Sequence, residues 1–177
     1  MFCRVLLIGW LSLAATPAFA QTGQQRAVYE TEVDAPVEEV WKAFTTGDGL
    51  KAWMAPIVDI HLTVGGKMRA NYQKDGSLDD DNTIENTILS YDPPRMLSLK
   101  ATKYPKNFPF VEAAKKTWSV FYFSKLSPTR TKVTVVGLGY TEDEQSQKMR
   151  AFFAGSNRYV LDKMKKALKE KALNKKE

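Results

Sequence analysis

Between residues 57 and 138 the apolar side chains of this chain recur at every second position, in short runs separated by turn residues, and every helical pattern lies outside that span. A chain so built is committed to a sheet in its middle. The run 57–64 stops or bulges at Gly65-Gly66. The run 67–73 puts Met68, Ala70 and Tyr72 on one face and Lys67, Arg69, Asn71 and Gln73 on the other. Asp75-Gly76 is a turn signal. Ile84, Asn86 and Ile88 then share a face, Asp92-Pro93-Pro94 turns the chain, and 96–102 forms another strand. Residues 104–109 read as a short loop with two prolines. Runs 118–124 and 131–138 make a last hairpin through Ser127-Pro128.

The helical patterns bracket this sheet. A strand over 27–34, with Tyr29, Thr31 and Val33 on one face, leads into Asp34-Ala35-Pro36, where proline suits a first turn and Asp34 can cap it. Val37, Val40, Trp41 and Phe44 then form one apolar stripe; Gly47 and Gly49 end it, and 50–54 makes a second short turn. At the other end a helix is predicted over 143–172. Met149, Phe153, Ser156, Asn157, Val160, Met164, Ala167 and Leu168 fall on one face, with Arg158, Asp162, Lys165, Lys166 and Lys169 opposite. Lys171 lands on the apolar face, so burial should end just before it. Three helices cannot supply the crossovers of a parallel sheet. The class is therefore α+β, with an antiparallel sheet of about six to seven strands curling round a long C-terminal helix. Such a sheet and helix leave space between them.

The N-terminus reads as an export signal. Arg4 precedes an apolar run over 5–15, Thr16-Pro17 breaks it, and Ala18-Phe19-Ala20 has the small-x-small form of a cleavage site. The run is short for a span, which takes ~20 apolar residues; an uncleaved anchor is the alternative. Cleavage after Ala20 leaves a polar, disordered 21–26, one domain over 27–172 and a basic tail over 173–177, with an exported, periplasmic or secreted product. No second run is long enough to span a membrane. The single cysteine, Cys3, leaves with the signal, so the mature chain has no disulfide, thiolate nucleophile or cysteine metal ligand. Much of the net charge of +6 sits in the lysine-rich segment after Asp162, which reads as a solvated helix face. No aromatic residues interleave with it, which argues against nucleic acid as a partner.

Several segments taken in order resemble one family. Ala35-Pro36-Val37-Glu38-Glu39-Val40-Trp41-Lys42-Ala43-Phe44 resembles the opening helix of START-like (SRPBCC, polyketide-cyclase-like) proteins. Leu50-Lys51-Ala52-Trp53-Met54-Ala55-Pro56, Val64-Gly65-Gly66-Lys67-Met68, Tyr91-Asp92-Pro93-Pro94-Arg95-Met96-Leu97 and Thr131-Lys132-Val133-Thr134-Val135 resemble the branch related to the activator of the heat-shock-protein-90 ATPase. The last helix departs from that branch: Gly155 is followed by Ser156 and Asn157 rather than tryptophan, which makes this wall more polar. The resemblance implies a helix-grip fold and often a hydrophobic cavity. It does not imply one activity.

The expected cavity is lined by Met68, Tyr72, Ile84, Asn86, Ile88, Phe153, Ser156, Asn157, Val160 and Met164, with Trp53 and Met54 near its mouth. Asn86, Ser156 and Asn157 are polar residues on apolar faces; they either orient a ligand's polar end or bond each other, the backbone or a buried water. His61, the only histidine, shares parity with Asp59 but is expected on the outer face of the sheet, and no serine elbow accompanies it. One histidine without cysteine makes a zinc site improbable, and Asp79-Asp80-Asp81 is expected to be a solvated hairpin loop rather than a calcium site. No cofactor is expected. The leading expectation is a carrier for a small hydrophobic or amphipathic molecule. A cyclase, dehydratase or hydrolase on the same fold and a co-chaperone-like interaction module are the alternatives.

Overall fold

The computed structural model describes residues 25–174. The export signal, its cleavage point, residues 21–24 and the last three residues of the basic tail lie outside the described residues. The element order is β1 (Gln25–Val33), α1 (Val37–Thr45), α2 (Gly47–Lys51), β2 (Ile57–Ile60), β3 (Lys67–Asn71), β4 (Ile84–Asp92), β5 (Met96–Lys103), α3 (Val111–Ala114), β6 (Trp118–Ser127), β7 (Arg130–Tyr140) and α4 (Glu144–Asn174). The strands form one antiparallel sheet in the order β1-β7-β6-β5-β4-β3-β2, so β1 and β2 are its edges. This is the predicted α+β helix-grip architecture, with α4 across the concave face.

Local chemistry explains where the elements end. Helix α1 begins at Val37 with Pro36 at its cap and no side-chain cap bond; the anticipated Asp34 cap is not made, and Glu38 and Glu39 supply the negative charge of the first turn instead. Gly47 and Gly49 lie inside α2 rather than merely ending α1, because the Thr46 hydroxyl accepts the Gly49 N–H at 3.0 Å and caps a new helix. Strand β2 stops at Ile60, short of the expected 64. Gly65, in the left-handed region at φ 80°, carries the chain across to β4, where its N–H donates to the Ile88 carbonyl at 2.8 Å. Strand β1 starts at Gln25, two residues into the segment expected to be disordered, with Gln25 paired to Tyr140.

The core falls into two clusters. The larger joins α1, α2 and the sheet to the C-terminal half of α4 through Val40, Phe44, Trp53, Met68, Leu97, Leu161 and Met164. The smaller joins Ala27, Ala113, Ala114 and Tyr140 to Met149, near the start of α4. Burial on α4 ends at Leu168, and Lys171, on the apolar stripe, reaches Glu39 on α1 at 3.1 Å. None of the described helices is long and apolar enough to cross a membrane.

Candidate functional site

The strand register fixes which residues look at α4. Ala27, Gly137, Ser119, Leu99 and Ile88 are paired in turn across the sheet, and Ala101, Asn86, Met68 and Ile60 continue that face. Leu99, Ile88 and Met68 are buried. Ser119, Ala101, Asn86 and Tyr29 point the same way yet remain partly exposed. These inward-facing side chains are incompletely covered by α4.

The helix shows the same break. Met149 on one side and Leu161, Met164 and Leu168 on the other are buried, whereas Phe153, Ser156, Asn157 and Val160 between them are only half-buried. The unsealed stretch of α4 coincides with the gap between the two core clusters.

The polar residues of this region part company. The Ser156 hydroxyl donates back to the Phe152 carbonyl at 3.3 Å, a local bond that occupies it. Among the described residues the side-chain amides of Asn86 and Asn157 have no protein hydrogen-bond partner, and neither is sealed from solvent. Two amides of this kind, each with an acceptor oxygen and two donor hydrogens, suit a neutral polar group on a ligand.

Tyr72 falls outside the ladder. Strand β3 ends at Asn71 because the Asn71 Oδ1 accepts the Gln73 N–H at 2.9 Å and turns the chain. Tyr72 therefore lies beyond the ladder that parity alone extends to it. Its side chain is 52% exposed, yet burial pushes its phenol above the usual tyrosine range.

The other expected lining residues divide. Met68, Ile88 and Met164 are closed into the main core, and Ile84, Met54 and Val160 are half-buried. Trp53, expected near the mouth, is instead buried and structural: its indole N–H donates to the Ala43 carbonyl at 2.9 Å and ties α2 to α1.

An aromatic strap was not anticipated. Tyr104 stacks on Phe108 at 5.7 Å, Phe108 meets Phe110 at 5.8 Å and Phe153 at 6.2 Å, and Phe110 meets Phe152 at 5.7 Å. It clasps α4 at Phe152 and Phe153, where the unsealed stretch begins. Three aromatic rings within one proline-bearing loop are the sequence signal that marks it.

The outer face of the sheet carries a second, polar groove of ≈ 240 Å³ lined by Asp59, Ile60, His61, Lys67, Arg69 and Glu85. Its charges neutralise one another: Arg69 grips Asp59 through Nε at 3.1 Å and Nη2 at 2.5 Å, and Lys67 meets Glu85 at 2.8 Å. Asp59 is thus engaged by Arg69, not by His61, which is exposed on the outer side as the alternation predicts. No group of acidic, histidine or cysteine side chains suited to a metal occurs among the described residues.

With this geometry in place, the likeness to known proteins is specific. The family model for Activator of Hsp90 ATPase homolog 1-like protein matches residues 34–169. The chain belongs to that family. Among solved structures, a Mesorhizobium loti protein superposes with TM-score 0.64 at 16% identity, covering 82% of this chain and 98% of that one. The Aha1 dimer from Colwellia psychrerythraea gives 0.58 at 20% identity, over 81% and 96%. Norcoclaurine synthase from Thalictrum flavum, in complex with dopamine and hydroxybenzaldehyde, gives 0.60 at 10% identity, over 92% and 98%. At these identities the structures show a shared fold. No curated protein sequence matches the chain.

Proposed function

We propose that this Hsp90-activator-like chain binds a small amphipathic molecule, apolar over most of its surface and carrying a neutral hydrogen-bonding group. The ligand lies in the hollow between the concave sheet and the 153–160 stretch of α4, and the protein works after export. The observation that carries this reading is the pair of inward-facing amides, Asn86 and Asn157, without protein partners. Polar groups left facing an apolar hollow are costly unless something bonds them, which is how ligand sites come to hold a few placed polar groups. That norcoclaurine synthase, of the same fold, is in complex with dopamine and hydroxybenzaldehyde is in keeping with small-molecule binding on this fold.

Binding is favoured over catalysis by the titration properties of the site. Side-chain amides do not titrate near neutrality, and the Tyr72 phenol, pushed up by burial, stays protonated and serves as a donor rather than a base. Export is supported by the charged, apolar and small-x-small order of residues 4–20. Intact mass of the protein from its native host is expected to begin at Gln21; retention of residues 1–20 would remove the export claim.

Native mass spectrometry with solvent extraction is expected to recover a small molecule from the purified protein. Replacing Asn86 and Asn157 together by leucine should reduce retention of that molecule about tenfold to a hundredfold, while the melting temperature holds or rises. Protein that carries no extractable molecule, with the two amides unmoved by any of a panel of neutral amphiphiles in NMR titration, would defeat the reading.

A further inference from the structure

A groove lies at one edge of that concave face, between the edge strand β1 and helix α4. It encloses ≈ 380 Å³ and is lined by Ala27, Val28, Tyr29, Gln147, Arg150, Ala151 and Ala154. Its volume falls within the range of small-molecule sites. Ala27, Ala151 and Ala154 give it a shallow apolar floor, and no acidic residue lines it.

Arg150 is the unusual element. It is half-buried, and the only hydrogen bond it makes among the described residues runs from Nη1 to the Gln25 Oε1 at 2.5 Å. The eleven ion pairs of the described residues leave it out, although lysines on the same helix, Lys148 and Lys166, each hold a glutamate. A guanidinium has five donors in a planar fork, so four remain unused.

Two phenols stand beside it. Tyr29 lines the groove itself, and Tyr140 is the strand partner of Gln25, the residue that Arg150 holds. The Tyr140 ring is buried, and its oxygen has no protein hydrogen-bond partner among the described residues. The Gln147 amide is committed to the Thr141 carbonyl.

We infer that this groove binds the carboxylate of a short amphipathic acid, with Arg150 as the charged fork, Tyr29 as a neutral donor, and the apolar body on the alanine floor. A planar fork with spare donors matches a carboxylate two-pronged, which a lysine on the same helix cannot do. The groove shares the concave face with the proposed hollow, but the Asn86 and Asn157 amides play no part in it.

The test uses octanoate as the probe and 1-octanol as its uncharged counterpart, with the full mature chain. Octanoate should shift the amide signals of Ala27, Ala151 and Ala154 and the Arg150 side-chain Nε–H signal; octanol should leave the Nε–H signal in place. Arg150→Gln should weaken octanoate about tenfold or more, the size expected on losing a charge-assisted bond. Lys148→Gln, which removes an equal charge one position away in sequence from Gln147, should change nothing. Because Arg150→Gln also frees Gln25, Ala154→Trp serves as a second variant: it fills the groove from an exposed helix position with Arg150 intact, and should block octanoate equally. Equal binding of octanol, unaltered affinity in either groove variant, or shifts confined to the Asn86 and Asn157 region would each overturn the assignment.

Discussion

Replacing Phe44 with alanine is expected to cost about 4 kcal/mol of stability, a large share of the ~5–15 kcal/mol that holds a domain together. Phe44 is 3% exposed, and its ring meets Trp53 at 4.9 Å, Phe123 at 5.0 Å and Phe121 at 5.5 Å. Each tilted ring pair adds to the transfer term, and the rigid sheet on one side cannot collapse into the space left. A midpoint drop of about 10 °C follows for a chain of this size. Phe44→Leu should lose only about 1–2 kcal/mol, since it keeps most of the volume. Denaturant unfolding followed by tryptophan fluorescence reads both the loss and its cause, because Trp53 is a direct neighbour of the deleted ring. A loss below 1 kcal/mol would mean that α1 is not seated on the sheet as described. The consequence reaches the site as well: Trp53 and Phe44 together hold α2 and Met54 against one end of the concave face.

The features that the sequence made legible are those governed by short-range periodicity. Met68 and Ala70 alternate with Lys67 and Arg69, and the structure buries the first pair and exposes the charged ends of the second. The apolar stripe of α4 is likewise readable, down to the place where Lys171 ends it. Asn86 and Asn157 are visible as polar interruptions of such stripes. Whether an interruption is bonded locally depends on neighbours far away in sequence, and only the fold separates Ser156, which bonds back to its own helix, from Asn157, which does not.

Other features had no periodic signature. Tyr72 keeps the parity of Met68, but one side-chain bond from Asn71 ends the ladder before it. Helix α3 is four residues long, too short for any helical repeat to register. Trp53 looks like a ring at a cavity mouth until the Ala43 carbonyl is found beneath its indole nitrogen. The groove at β1 depends on Gln25 and Arg150, which are 125 positions apart and are joined only by the closure of α4 over the sheet edge.

Asn71→Ala is expected to cost about 3 kcal/mol, by stranding bonds rather than by emptying the core. Asn71 is fully buried, and its amide nitrogen donates to the Ser77 carbonyl at 2.8 Å and to the Asp80 Oδ2 at 2.7 Å, while its oxygen holds Gln73. Asp80 is not the merely solvated loop carboxylate that its neighbours Asp79 and Asp81 suggest: it also accepts the N–H of Ser77 at 3.0 Å and of Asn82 at 2.9 Å. Those bonds, the one from Ser77 first, hold its carboxyl below the ordinary aspartate range. A lowered folded-state pKa stabilises the protein above the unfolded value, and that contribution is lost as the pH falls through the folded one. Wild-type protein should therefore lose loop order in acid, with the protection of the Ser77 and Asn82 amides, relative to unfolded-chain exchange at the same pH, falling below about pH 4. Asn71→Asp reverses the slope. It retains the acceptor for Gln73 but sets a second carboxylate against Asp80, and two carboxylates sharing one site force one pKa upward. That variant should be least stable near neutrality and recover as the pH falls through the raised value, where one proton is shared between the pair. A pH series of thermal melts on the two proteins distinguishes the cases: parallel curves would show that Asn71 and Asp80 do not meet. Because the loop they fix begins at Tyr72, the same variants should also loosen the rim of the proposed hollow and quicken ligand release.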